Sequence, residues 1–421
     1  MRPSCGIDFG TSNSAVGFLS EGKPRLVPLE GENLTSPSAV FYPSDGRPPE
    51  YGREAIASYT DHENGRLFRA LKSVLGSSLI KETTGAGGKR VAFKSIIGSF
   101  VANLKRKAEI HLGREIDDVV VGRPVFFVDD DESADAEAQS QLQDIVKGAG
   151  FKNISFQYEP IGAALDYEQF VQKEEIVLIA DIGGGTSDFS IIRLSPASKQ
   201  RNDRKNDILA NTGVHVGGTN LDFRLSLKQV MPHFGYQTQQ RARPELALPN
   251  GYFLDMAQWH RIAFLYNGKT VSDLKYLRSV AAEPHKIDRF MKAVHDRAIH
   301  RIASDVEAAK IKISSENEAD IVLDYIDAEL RIATSRAIFE QSIAVEREKI
   351  GKSIAECLKQ ANVAASKVDT IFLTGGSTFI PAVESACTAQ TPAARIVRGD
   401  KFASVGIGLA IDAGLKFGTV G

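Results

Sequence analysis

The chain has 421 residues, 43% of them apolar and 25% charged, with a formal net charge of −2. That length provides for roughly two to three domains with sizeable cores, and the composition is that of a globular chain rather than a disordered one. A balance so near neutrality excludes bulk electrostatic attraction to nucleic acid or membranes as a main function.

Taken in order, strands are predicted near Cys5 to Phe9, Ala15 to Leu19 and Arg25 to Leu29, with a turn at Glu21-Gly22-Lys23 joining the last two. A helix follows over about Lys94 to Leu112, where Ile97, Val101, Leu104 and Ala108 recur at helical spacing. Val119-Val120-Val121 reads as a buried strand, Ala134, Ala138, Leu142 and Ile145 mark a helix, Ile154 to Gln157 a strand, and a further helix runs from Gly162. The order then repeats. Strands are expected near Ile176 to Asp181, Asp188 to Leu194 and Asp207 to Val214, with a polar hairpin loop, Lys199 to Asn206, whose basic residues among Arg201 to Lys205 are expected to be solvated. After a longer, partly helical stretch, Ile343, Ile350, Ile354 and Leu358 line a helix, Thr370 to Thr374 and Arg395 to Val397 are strands, and Phe402 to Lys416 is a closing helix. Three meandering strands, a helix and further strand-helix units, twice over, predict two similar α/β lobes around a cleft.

The duplication carries a repeated chemical signature. Asp8-Phe9-Gly10-Thr11-Ser12-Asn13 and Asp181-Ile182-Gly183-Gly184-Gly185-Thr186-Ser187-Asp188 each place an aspartate at the end of an apolar strand, followed by a glycine and hydroxyl turn. Such turns present backbone N–H groups to phosphate, and the aspartates can hold a hydrated Mg2+. Carboxylates directly after buried strands are costly unless paired or bound to a metal. Glu159-Pro160 opens the helix between the two copies, and Leu373-Thr374-Gly375-Gly376-Ser377-Thr378, before Pro381, forms a third glycine turn. Cys5, Cys357 and Cys387 are too few for a disulfide framework, and no secretory signal or membrane-spanning run is evident, so a cytoplasmic location is expected.

These three motifs in order, together with Glu159-Pro160, closely resemble the nucleotide-binding domain of the DnaK-type heat-shock protein 70 chaperones, within the actin and hexokinase superfamily, and most nearly the YegD-type proteins. The resemblance implies a duplicated actin-like ATPase fold of two ribonuclease H-like lobes. Lobe I would be 1–173 with 398–421, bearing an insertion at about 30–93; lobe II would be 174–397, with an insertion at about 220–330. It further implies ATP or ADP as ligand, Mg2+ held by Asp8 and Asp181, and phosphate contacts from Gly10, Thr11, Ser12, Asn13, Gly183, Gly184, Gly185 and Thr186. Lys72, Glu159, Asp181, Thr186 and Asp188 would carry catalysis: Lys72 matches the family lysine that positions the attacking water, and Glu159 and Asp188 would orient it or accept its proton. Gly217, Gly218, Glu307, Lys310, Ile311, Ser314, Gly375, Gly376, Ser377, Phe379 and Asp400 would complete the nucleotide site, with Glu307 and Lys310 on the ribose and Ser314 at the adenine edge.

The sequence departs from the family at the base. Where relatives carry arginines, this chain has Ile311 and Phe379, which predicts an apolar slot for adenine. The arginine expected after the proline of Val121-Gly122-Arg123-Pro124 is missing, with Glu132 near its position. The peptide-binding domain is expected to be absent. Met231 to Lys286 reads as extra sequence rich in aromatic residues, including Trp259, that either packs a small core of its own or receives a protein partner. A slow ATP hydrolase that closes its lobes on nucleotide is the leading expectation, and a small-molecule kinase of the same fold or a non-catalytic nucleotide switch or scaffold are the alternatives.

Overall fold

The computed structural model describes residues 3–418 apart from 62, 129–130, 199–200, 202–203 and 400–402. The chain forms two compact units: Met1–His215 with Ile350–Thr378 and Val383–Gly421, and Val216–Lys349 with Phe379–Ala382.

The first unit is built on two sheets with the same wiring. In one, β1 (Ser4–Phe9), β2 (Asn13–Ser20) and β3 (Lys23–Leu26) form an antiparallel meander, and β4 (Asp118–Arg123) and β5 (Asn153–Tyr158) extend it in parallel from β1. In the other, β6 (Glu175–Ile182), β7 (Ser187–Leu194) and β8 (Ile208–Val214) form the meander, and β9 (Thr370–Thr374) and β10 (Arg395–Arg398) extend it in parallel from β6. Strands paired on both sides and covered on both faces read as unbroken apolar runs, which is why Val119-Val120-Val121 and Val177-Leu178-Ile179-Ala180 are fully buried. The duplicated α/β fold expected from the sequence is present. β3 ends at Leu26 rather than Leu29: Val27 N–H still donates to Val16 O at 2.8 Å, but Leu29 N–H, the next that could face β2, donates to Asn33 O at 2.8 Å instead.

Helices α1 (Phe93–Leu112) and α2 (Glu132–Gly148) pack on the first sheet around Ile7, Phe100, Leu104, Val119 and Leu142. Asp131 caps α2, its carboxylate accepting from Ala134 N–H at 2.9 Å. Helix α3 (Glu159–Glu168) begins three residues before the expected Gly162, with Pro160 in its first turn, where a missing N–H costs nothing. Glu159 is therefore the first residue of that helix.

The helix over Ser404–Phe417 crosses α3 at a contact that admits no side chains. A Cβ on Gly408 would lie 1.7 Å from Gly162 O, one on Gly6 of β1 2.4 Å from Leu409 C, and one on Gly17 of β2 2.3 Å from Gly406 O. Ile161, Leu165, Ile179, Phe372 and Leu409 form the core around this crossing. One expectation fails nearby. The loop between β7 and β8 was expected to hold its basic residues in solvent, yet the Arg204 side chain is 1% exposed. It makes two bonds of 2.8 Å to the Glu168 carboxylate and a third to Asp207. Burying a guanidinium requires such a carboxylate cage.

In the second unit, the stretch expected to be extra sequence folds into short helices, among them Gly251–Ala257, Gly268–Val280 and Pro284–His295. Phe234, Phe253, Met256, Ile262, Leu265, Leu274 and Phe290 are buried, so these side chains of the stretch and its neighbours pack inside the second unit. Trp259 belongs to that packing, edge-on to the His300 ring at 5.0 Å between centroids.

Candidate active site

Both aspartate turns belong to the first unit and meet there. β1 delivers Asp8 to its end, and the turn after it is so tight that a Cβ on Gly10 would lie 2.2 Å from Asn13 O. Ser38 donates to Gly10 O at 2.6 Å and pins this turn. In the second sheet, Asp181 and Asp188 are direct cross-strand partners, and Asp181 is also in register with Thr374. Gly183 N–H donates to Thr186 O at 3.0 Å, closing the second turn, and Thr186 Oγ1 bonds Asp188 Oδ2 at 3.1 Å. A Cβ on Gly184 would lie 1.8 Å from Ser12 Oγ, and one on Gly185 3.5 Å from Thr11 Cγ2, so the two turns are in contact.

The third glycine turn locks onto the same place. Ser377 Oγ donates to Gly183 O at 3.0 Å, and Gly375, at φ +83°, is so close that a Cβ there would lie 2.6 Å from Asp181 Oδ1. Only glycine suits both that backbone angle and that approach.

Lys72 lies in a short helical turn, Leu71–Val74, and its ammonium bonds Glu159 Oε1 at 2.5 Å, with the two side chains 11% and 13% exposed. It is no solvated surface lysine. Gly122 on β4 leaves the space for Glu159: a Cβ there would meet Glu159 Cγ at 3.2 Å. Burial pushes the Lys72 ammonium down, but the charges of Glu159, Asp8 and Asp188 outweigh that and raise it. Asp8 is raised to about 7 by burial, with Glu159 adding and Lys72 opposing. Asp181 is raised well above the usual carboxylate range by burial and by Asp188, Glu159 and Asp8, again against Lys72. Four carboxylates thus surround one lysine, and this surplus of negative charge on hard oxygen donors fits a divalent cation. Among the described residues no three His, Cys, Asp or Glu side chains converge as direct ligands.

The residues expected at the base belong to the second unit. Lys310 Nζ is held by Asp222 at 2.8 Å and by Gly218 O at 3.3 Å, and Ser314 Oγ donates to Lys310 O at 2.8 Å. Gly217 caps the helix over Gly218–Leu225, its N–H donating to the Asn220 side chain at 3.0 Å. Glu307 is half-buried on the same helix as Lys310, whereas Ile311 is 61% exposed, and Phe379 is half-buried. Asp400 lies outside the described residues. Sequence reasoning missed Gly122, whose only signal was a glycine inside an apolar strand, and Ser38 and Arg204, whose partners lie 28 and 36 residues away.

The Hsp70 protein family model matches residues 4–240 and 272–420. The chain belongs to the Hsp70 family. Membership brings an ATP-binding, chaperone-type function, in a family whose members are ATPases. The unmatched residues, 241–271, fall within the stretch expected to be extra sequence in this Hsp70 chain. No helix among the described residues is long and apolar enough to cross a membrane.

Proposed function

We propose that this Hsp70-family protein is a Mg2+-dependent ATP hydrolase in which nucleotide draws together two lobes, 1–173 with 398–421 and 174–397. The observation that carries the reading is the Lys72–Glu159 pair, buried at the meeting point of the two aspartate turns. A Mg2+ ion with its waters, held by Asp8 and Asp181, would neutralise charge on the β- and γ-phosphate oxygens. Thr11, Ser12 and the amides of Gly183, Gly184, Gly185 and Thr186 orient the phosphates, and such positioning is most of what phosphoryl transfer asks of a protein. Lys72 donates to the attacking water and offsets negative charge, while Glu159 and Asp188 orient that water and take its proton. For adenosine we propose Glu307, Lys310, Ile311, Ser314 and Phe379, with the Lys310 ammonium held in place by Asp222 and Gly218 O.

ADP formation and phosphate release from Mg-ATP, both measured alone and with a panel of sugars and small acids, test the proposal. Wild type should release phosphate without an acceptor, Glu159→Gln should slow it by about 10²–10⁴-fold, and Asp181→Ala should abolish its Mg2+ dependence. Turnover only with an acceptor would make the protein a kinase, and binding without turnover would make it a switch.

A further inference from the structure

We infer that Arg204 is a positioning residue for the hydrolytic carboxylates, acting through helix α3; this rests on the reading that Glu159 and Asp188 handle the attacking water. Helix α3 is held by a buried ion pair at each end. Its first residue, Glu159, takes the ammonium of Lys72, and its last, Glu168, takes the guanidinium fork of Arg204 in two bonds of 2.8 Å. Arg204 belongs to the connection that leaves β7 and returns as β8, and these two strands carry Asp188 paired with Gly213. Arg204 therefore ties the helix that presents Glu159 to the strand pair that presents Asp188. Its own end is fixed in turn by Asp207, which is also held by Arg201 at 2.7 Å. Burial raises the Asp412 carboxyl on the crossing helix, and the charges of Lys416 and Arg204 act against that.

Stability alone does not account for this pair. A carboxylate at the last residue of a helix faces the negative end of the dipole. Burying both charges costs desolvation that an apolar pair of the same size would avoid. What the pair supplies is direction, because the planar fork of arginine accepts a carboxylate in one orientation only. At 1.5 Å per residue the helix is about 14 Å long, so a tilt of about 4° at Glu168 moves Glu159 by about 1 Å, a displacement that can cost about 100-fold in rate.

The test replaces the pair by Arg204→Met with Glu168→Met, which keeps volume and removes both charges, and compares it with Arg204→Lys, which keeps charge but loses the fork. We expect kcat for phosphate release to fall at least about tenfold in the double variant and less in the lysine variant, while the ADP dissociation constant stays within about twofold of wild type. Wild-type kcat in the double variant would overturn the inference. If wild type itself releases no phosphate, the ATPase reading fails, and hydrogen exchange at the amides of residues 161–163 decides the inference separately. Exchange at least about tenfold faster in the double variant supports the tie, and unchanged exchange refutes it.

Discussion

Gly375 shows how tightly single residues are specified around Asp181. Its φ of +83° and the 2.5 Å that would separate a Cβ from Ile182 O leave no room for alanine. Gly375→Ala is expected to cost about 1–3 kcal/mol, read by urea denaturation, and to weaken nucleotide binding by displacing the Asp181 carboxylate. Residues of this kind were legible in the sequence, since a glycine pair after a buried strand and before Pro381 has few other uses. Lys72 was less so: nothing in Leu71-Lys72-Ser73-Val74 separates a buried lysine from a solvated one, and only the resemblance to Hsp70 proteins marked it. Arg204 was misread because its carboxylate partner is 36 residues away, and a basic residue in a polar loop is ordinarily solvated.

At the scale of elements, the strands were the best-read part of the chain. Buried parallel strands are unbroken apolar runs, and the meander, helix and parallel-strand order occurs twice. Element ends were read less well: β3 stops where Leu29 N–H turns to Asn33 O, and α3 starts earlier than expected with Pro160 in its first turn. The helices around residues 241–271 separate two roles for exposed and buried aromatics. Phe253 is fully buried and packs at a tilt against Phe290, 5.6 Å between centroids, whereas Phe264 is 66% exposed. Phe253→Ala should cost about 3–5 kcal/mol and Phe264→Ala less than about 0.5 kcal/mol in urea denaturation. Equal effects would mean that Phe253 is not part of the packed interior of the second unit.

For the molecule as a whole, a carboxylate cluster relieved by nucleotide and metal together makes stability a readout of binding. At 100 times its dissociation constant, Mg-ADP should stabilise the fold by about 2.7 kcal/mol. With an unfolding entropy of about 2.1 cal/mol/K per residue, this raises the thermal midpoint by about 3 °C. Removing Mg2+ with EDTA should abolish most of the rise, as should Asp8→Asn with Asp181→Asn. A shift of the same size in EDTA would show that the two aspartates serve no metal.

The glycine seats on β1 and β2 also set an order of assembly on the ribosome. Gly6 and Gly17 receive the helix over Ser404–Phe417, nearly 400 residues later in the chain, while the second unit is drawn almost wholly from the continuous stretch Val216–Lys349. At about 5–20 residues per second, the ribosome adds the roughly 190 residues between β8 and that helix in about 10–40 s. Through that interval the first sheet waits with one face uncovered, and the second unit has time to fold before the first can close.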